Sequence, residues 1–207
     1  MERIDISVLM AVYKKDNPAF LRESLESIFT QTVEAGEVVL LEDGPLTEAL
    51  YEVIKSYQSK YPALRVVAYP MNRGLGKTLN DGLQLCKYDI VARMDADDIC
   101  KSNRFETEYK WLKTHEDYDV IGSWVDEFTN DKTQVRSIRK VPEQYEDIKK
   151  YARYRCPVNH PTVMYRKAAV QAVGGYLTEY FPEDYFLWLR MLKNGCKFHN
   201  ILQSLLW

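Results

Sequence analysis

Six of the seven residues in Ile6-Ser7-Val8-Leu9-Met10-Ala11-Val12 are apolar, and no turn residue interrupts them. A continuous run of that length predicts a strand buried on both faces. Asp16-Asn17-Pro18 follows, a capping signal with a proline suited to a first helical turn. Leu21, Leu25, Ile28 and Phe29 then recur at i, i+4, i+7 and i+8, one face of a helix. The alternation continues, with strands expected over 38–41, 64–69, 90–94 and 120–124 and helices over 46–57, 77–86 and 105–115.

A β-α-β-α rhythm of this kind predicts an α/β fold with a mainly parallel sheet flanked by helices. Right-handed crossovers gather the loops that follow the strands on one edge, where such sheets bind ligands. Polar clusters fall in those loops: Tyr13-Lys14-Lys15, Glu42-Asp43-Gly44, Asn72-Arg73-Gly74 and Asp95-Ala96-Asp97-Asp98. The second half is less regular. Residues 125–139 read as a hairpin or excursion around Asn130-Asp131-Lys132, 142–154 as a helix, 162–165 as a short strand and 185–193 as a helix, with a break at Gly174-Gly175. No repeat or linker divides the 207 residues, so one compact domain is expected.

Charge and cysteine usage narrow the chemistry. A net charge of −2 supplies no field for nucleic acid, so any polyanion must be held locally. Cys86, Cys100, Cys156 and Cys196 are scattered without a C-x-x-C pair, which argues against zinc or a disulfide framework and for reduced cytoplasmic thiols. No apolar run approaches the roughly 20 residues of a membrane-spanning helix, and the first residues carry acids rather than a signal-peptide core. The stretch 198–206 shows no capping or tail signal before Trp207, and truncation there is expected.

Asp95-x-Asp97 at the end of an apolar strand is the main chemical signal. Two carboxylates at i and i+2, with Asp98 beside them, crowd like charges into one turn, which is costly unless a cation is present. Oxygen ligands suit Mg2+ or Mn2+, shared with substrate phosphates. The plain alternative is a solvated acidic turn in which Asp98 or Ser102 caps the next helix. Asn72-Arg73-Gly74-Leu75-Gly76-Lys77, between a strand and a helix, offers backbone N–H groups and a lysine to an anion. Gly76-Lys77-Thr78 also imitates the tail of a P-loop, but Met71 stands where the first glycine belongs and Asn72-Arg73 are bulky for a phosphate cradle.

Glu183-Asp184 opens a helix after Tyr176, Tyr180 and Phe181. A carboxylate beside aromatic rings can serve as a general base; the plain alternative is an acidic first turn answering the helix dipole. His160, in Asn159-His160-Pro161, reads as a hydrogen-bonded structural residue. Lys149, Lys150, Arg153 and Arg155, interleaved with Tyr151 and Tyr154, form a basic and aromatic patch that is either a solvated helix face or a contact for a phosphorylated or lipid-linked acceptor.

In this order, residues 7–13, 25–32, 38–44, Asn72-x-Gly74, Arg93-Met94-Asp95-Ala96-Asp97-Asp98 and Glu183-Asp184 resemble the inverting family 2 glycosyltransferases of GT-A (Rossmann-like) fold. Glu42-Asp43-Gly44-Pro45 and Asn159-His160-Pro161-Thr162 are similar to bacterial amylovoran-type exopolysaccharide and O-antigen transferases. The resemblance implies a nucleotide-sugar-binding half over about 1–98 and an acceptor-side half, with a small extension, over about 99–207. It implies that Ala11, Val12 and Tyr13 line the nucleotide pocket, that Asp43 meets a uracil, and that Asn72, Gly74 and Lys77 lie near the uridine or diphosphate. Asp95, with Ala96 beside it, would contact ribose or sugar and share with Asp97 the binding of Mn2+ or Mg2+, and Asp184 would be the base. The implied reaction moves a hexose from a nucleotide-sugar, a UDP-sugar by preference, to a saccharide or polyprenyl-linked acceptor. It implies a cytoplasmic enzyme with peripheral contact at the inner membrane face. Two positions depart from the pattern: Ala11 replaces the usual proline, and Leu79 replaces an arginine, leaving Lys77 or Arg93 to supply that charge. A nucleotide-sugar-binding protein without transferase activity is the competing class, and Glu183-Asp184 counts against it.

Overall fold

The first strand, β1 (Arg3–Val12), is buried along most of its length because it lies in the middle of a sheet with helices on both faces. The computed structural model describes residues 2–129, 131–177 and 182–207. In chain order β1 is followed by α1 (Pro18–Phe29), β2 (Glu34–Glu42), α2 (Glu48–Lys60), β3 (Leu64–Ala68), α3 (Leu75–Leu85), β4 (Ile90–Met94), α4 (Arg104–Thr114) and β5 (Val120–Glu127). Then come β6 (Ser137–Arg139), α5 (Tyr145–Tyr151), a 3-10 turn (His160–Thr162), β7 (Met164–Arg166), α6 (Lys167–Ala172), α7 (Glu183–Lys193) and β8 (Phe198–Leu206).

The sheet runs β3-β2-β1-β4-β7-β5-β6, with β8 paired to β5. β3, β2, β1 and β4 are parallel, β7 runs against both β4 and β5, and β8 lies parallel to β5. The expected α/β fold with a mainly parallel sheet is therefore present, with an antiparallel insertion where β7 wedges between β4 and β5. The excursion over 125–139 forms the β5–β6 hairpin, pairing Val125 with Arg139; Asn130 lies outside the described residues.

Alternation along the strands feeds two cores. Val8, Met10 and Leu40 pack on one face against Leu21 and Leu25 of α1, Leu50 and Ile54 of α2, and Phe105 and Leu112 of α4. Leu9, Val39, Leu41 and Val91 pack on the other against Leu79 and Leu83 of α3, Val170 of α6, and Leu187 and Trp188 of α7. Close approach of α3 to the sheet requires Gly82: a Cβ there would sit 2.2 Å from a Leu41 methyl and 2.7 Å from a Leu9 methyl.

Three readings of the second half need correcting. The helix expected over 142–154 is confined to α5, and the strand expected over 162–165 begins only at Met164, after the 3-10 turn. α6 was not foreseen, because six residues span too few turns to show a period. The stretch 198–206 is a buried-ended strand, β8, whose register shifts against β5 break the alternation that would announce it.

Candidate donor and metal site

β1 and β4 lie side by side in register, Met10 opposite Met94, because the chain crosses back from β3 to the far side of β1. The loops after β1, β2, β3 and β4 meet at that edge around a cavity of about 350 Å³. Ala11, Val12, Tyr13, Asp43, Asn72, Gly74, Asp95, Ala96 and Asp97 line it, joined by Asp16 and Leu75. Nine of the residues expected at a donor site are thus brought together from four separate stretches of chain.

Asp43 organises the wall formed by the second and third loops. Its carboxylate accepts from the backbone N–H of Arg73 (2.7 Å) and of Gly74 (3.1 Å) and from the Asn72 side-chain amide (3.0 Å). The amides that the sequence offers to an anion are therefore taken, at 73 and 74, by the protein's own carboxylate, which also removes a P-loop cradle at this turn. Gly44 makes the approach possible, since a Cβ on it would fall 2.5 Å from the Asn72 nitrogen and its φ is +86°.

The acidic loop forms the opposite wall. Asp95, Asp97 and Asp98 each offer a carboxylate oxygen, all within 4.8 Å of one another. Hard oxygen donors at that spacing fit a divalent Mg2+ or Mn2+ ion. The like charges leave a signature: Asp98 is pushed up to about 7, chiefly by burial and then by Asp95 and Asp97. Asp16 is pushed up to about 6 by burial, with Asp97 and Asp95 adding to it, although the Tyr13 N–H it accepts at 2.9 Å pulls the other way. The helix cap is Asn17, which accepts from Ala19 N, so Asp16 is free to face the cavity. Sequence reasoning missed Asp16 by taking it into the capping signal.

A polar stripe that runs along α1 and past its end to Gln31 fixes that loop. Ser24 donates to the Asp95 carbonyl (2.9 Å), Ser27 accepts from Cys100 N (2.9 Å), and Gln31 donates to the Lys101 carbonyl (2.9 Å) while accepting from Phe105 N (3.0 Å). All three side chains are buried. From below, buried Arg104 donates to the Arg93 carbonyl (2.8 Å) and pairs with buried Glu108. The legible signal was a serine, a serine and a glutamine at i, i+3 and i+7 on a helix face that should be apolar.

Three expected site residues stand apart from the cavity wall. Arg93 is fully buried and reaches the site only through its ion pair with Asp95, so it holds a ligand-bearing carboxylate rather than facing the cavity. Lys77 is exposed on α3 and does not line the cavity. Asp184, half-buried in the first turn of α7, also lies off the wall; the Cys156 thiol points to its Oδ2 at 3.7 Å. Its helix nevertheless begins at the donor wall: Glu183 packs against Gly76, 3.3 Å from where a Cβ there would be, one residue beyond the cavity-lining Leu75. Tyr180 and Phe181 lie outside the described residues. Tyr176 is buried, its hydroxyl 3.1 Å from His160 Nε2, so His160 is hydrogen-bonded as expected. A second opening of about 840 Å³ shares Asp95 and Asp97 with the first, adds Asp98, and extends past Phe20, Asp126, Arg139 and Trp207. The acidic loop thus stands between two spaces, one narrow and one wide.

The profile described as "Glycosyl transferase family 2" matches residues 7–174. A UDP-Gal:alpha-D-GlcNAc-diphosphoundecaprenol beta-1,3-galactosyltransferase of Escherichia coli is 44% identical over 199 residues, 96% of this chain and 72% of that protein. The amylovoran biosynthesis glycosyltransferase AmsE of Erwinia amylovora is 39% identical over 94% of this chain and 72% of its own length. Among solved structures, the mannosyltransferase PcManGT of Pyrobaculum calidifontis, in complex with GDP-Man and Mn2+, superposes with a TM-score of 0.72 at 16% identity, covering 96% of this chain and 55% of that one. S. aureus TarS 1–349 in complex with UDP-GlcNAc gives 0.75 at 19% identity, covering 98% and 58%. At those identities the solved structures speak for the fold alone.

Proposed function

The chain belongs to glycosyl transferase family 2, and from that premise we propose a metal-dependent, inverting transfer of a hexose from a UDP-sugar to a hydroxyl of a saccharide or polyprenyl-linked acceptor. The observation that carries this reading is the set of three carboxylates within 4.8 Å at the end of β4, two of which, Asp95 and Asp97, line a cavity whose other walls come from the loops after β1, β2 and β3. A nucleoside diphosphate fits that arrangement: Tyr13 offers an exposed ring to the base, Ala11 and Val12 a floor, and Asp43 and Asn72 polar edges. The galactosyltransferase named above supports UDP-galactose as a first donor to try. The donor half would comprise about residues 1–98 and the acceptor half about 99–207.

Asp95 and Asp97 are the residues to hold Mn2+ or Mg2+, with Asp98 behind them. When bound, the cation would neutralise charge on the departing diphosphate as a Lewis acid. The chain's own residues do the rest. Arg93, unable to leave the core, holds the Asp95 carboxylate in place through their ion pair. Ser24 fixes the backbone of that residue, so the carboxylate does not have to be ordered when donor arrives. Asp184, which follows the Glu183 that packs against Gly76 of α3, takes the proton from the acceptor hydroxyl as it attacks the face of the sugar opposite the diphosphate. One displacement inverts the anomeric carbon. No helix among the described residues is long and apolar enough to cross a membrane. A reading as a peripheral enzyme at the inner face of the cytoplasmic membrane is consistent with that.

Asp184→Asn should leave UDP-hexose affinity in Mn2+ within about twofold while lowering transfer by about 10²–10⁴-fold, the usual contribution of a positioned base. Calorimetry with UDP-galactose beside a transfer assay checks both numbers. Transfer at the wild-type rate would remove Asp184 from the mechanism.

A further inference from the structure

The most exposed large aromatic side chain of the described residues is Tyr154, with 83% of its surface in water, and it stands between two arginines. Arg153 and Arg155 are exposed too. The three residues form an ordered turn after α5, with Tyr154 N and Arg155 N both donating to the Tyr151 carbonyl at 3.0 and 3.1 Å. The lysines before them are neutralised on their own helix, Lys149 by Glu146 and Lys150 by Asp147. Among the described residues neither arginine has a carboxylate partner. Two guanidinium groups are therefore left uncommitted in one turn.

The placement of that turn is what gives it a use. Immediately before it, the Ala152 carbonyl accepts from the Tyr185 hydroxyl at 2.7 Å. Immediately after it, the Cys156 thiol reaches Asp184 Oδ2 at 3.7 Å. Arg153-Tyr154-Arg155 is thus strapped at both ends to two consecutive residues of α7, one of which is the proposed base. A charge needed only to answer the dipole of α5 would not require this, since a seven-residue helix with two lysines in its last turn already has its complement.

We infer that the Arg153–Arg155 turn binds the phosphate groups of the acceptor, so that the acceptor is a saccharide carrying a diphosphate and is anchored beside Asp184 by its charged end. This deepens the transferase reading and rests on it for the role of Asp184. Arginine suits the task because its planar fork meets phosphate oxygens two at a time, and the exposed Tyr154 ring offers an apolar surface to the chain or sugar attached. A protein with net charge −2 must hold such a polyanion by a local contact of this kind.

The test uses the chain saturated with Mn2+ and UDP and titrates octyl diphosphate, octyl phosphate and octyl glucoside by calorimetry. Octyl diphosphate should bind most tightly, and Arg153→Ala/Arg155→Ala should weaken it by about tenfold or more, the loss of two charge-assisted contacts. Binding of octyl glucoside should not change. Arg153→Lys/Arg155→Lys should recover part of the affinity, because charge is kept and the fork is lost. UDP affinity and melting temperature should be unaltered in both variants, and Asp184→Asn should still bind octyl diphosphate, which separates this inference from the assignment of the base. Absence of octyl diphosphate binding to the wild type would overturn it. So would variants that keep that affinity but lose binding to phosphatidylglycerol vesicles over phosphatidylcholine ones, since the turn would then be a membrane contact.

Discussion

Asp16, after β1, and Asp98, after β4, flank the Asp95–Asp97 pair, each feeling both of those charges. Burial, and then their acidic neighbours, raise them to about 6 and about 7, against about 4 for an aspartate in the unfolded chain. Without metal these groups hold protons that unfolding would release. Their contribution to stability is accordingly complete below pH about 4 and is lost as pH rises through about 6 to 7. A divalent cation needs the ionised carboxylates, so the difference in melting temperature between Mn2+ and chelator should widen from pH 5 to 8. Differential scanning fluorimetry across that range checks it, and a difference independent of pH would mean that the carboxylates do not hold the ion. Asp95-x-Asp97 was legible as a metal motif because two adjacent acids on a strand end are hard to explain otherwise. The part played by Arg93 was not, since a sequence cannot show that an arginine lies inside the core with its ion pair to Asp95.

At the scale of elements, α1 carries an argument that its apolar periodicity conceals. Leu21, Leu25 and Ile28 bury it against the sheet, while Ser24, Ser27 and Gln31 use the adjoining positions to grip residues 95–105. Gln31→Ala would strand Phe105 N inside the protein, an unpaired group costing about 1–3 kcal/mol, and would leave the Lys101 carbonyl with Arg104 N as its remaining donor. Chemical denaturation should show a loss in that range, and Mn2+ binding should weaken because the loop holding Asp95 and Asp97 loses its anchor. Gln31→Glu should do less damage to Phe105 than to Lys101, since it keeps the acceptor and gives up the donor. An unchanged Mn2+ affinity in the folded Gln31→Ala protein would show that the loop is held without Gln31. Helix existence and type were readable here from period and caps; the clamp was not, because its partners lie about 70 positions along the chain.

For the molecule as a whole, the last strand ties the two halves of the site together. β8 pairs with β5, and its end turns toward the acidic loop: Ile99 N donates to the Trp207 carbonyl, Trp207 N to that of Ile99, and Lys101 N to that of Leu205. Leu205 and Leu206 are fully buried there. Removing residues 205–207 should cost on the order of 4 kcal/mol from those two side chains and should weaken Mn2+ binding as well. Parallel melts and metal titrations of the shortened chain would show both effects, and a loss of stability with metal affinity intact would confine β8 to a packing role. The fold frames the donor site in the same way, since the cavity exists only because β4 returns to lie beside β1 and sets Asp95 opposite Tyr13 and Asp43.

The sequence by itself determined the alternation of strands and helices, the parallel half of the sheet, and the loops from which the cavity is built. Those features depend on local periodicity, caps and turn residues, which neighbouring positions settle among themselves. Tertiary structure alone decided that β7 wedges between β4 and β5, that the stretch after 197 is a paired strand, that Asp43 binds the 72–74 amides itself, and that the Arg153–Arg155 turn is fastened beside Asp184. Each of those is a contact between segments far apart in the chain. Its free energy depends on which groups are left unpaired once the cores have closed, and no window of sequence contains both partners.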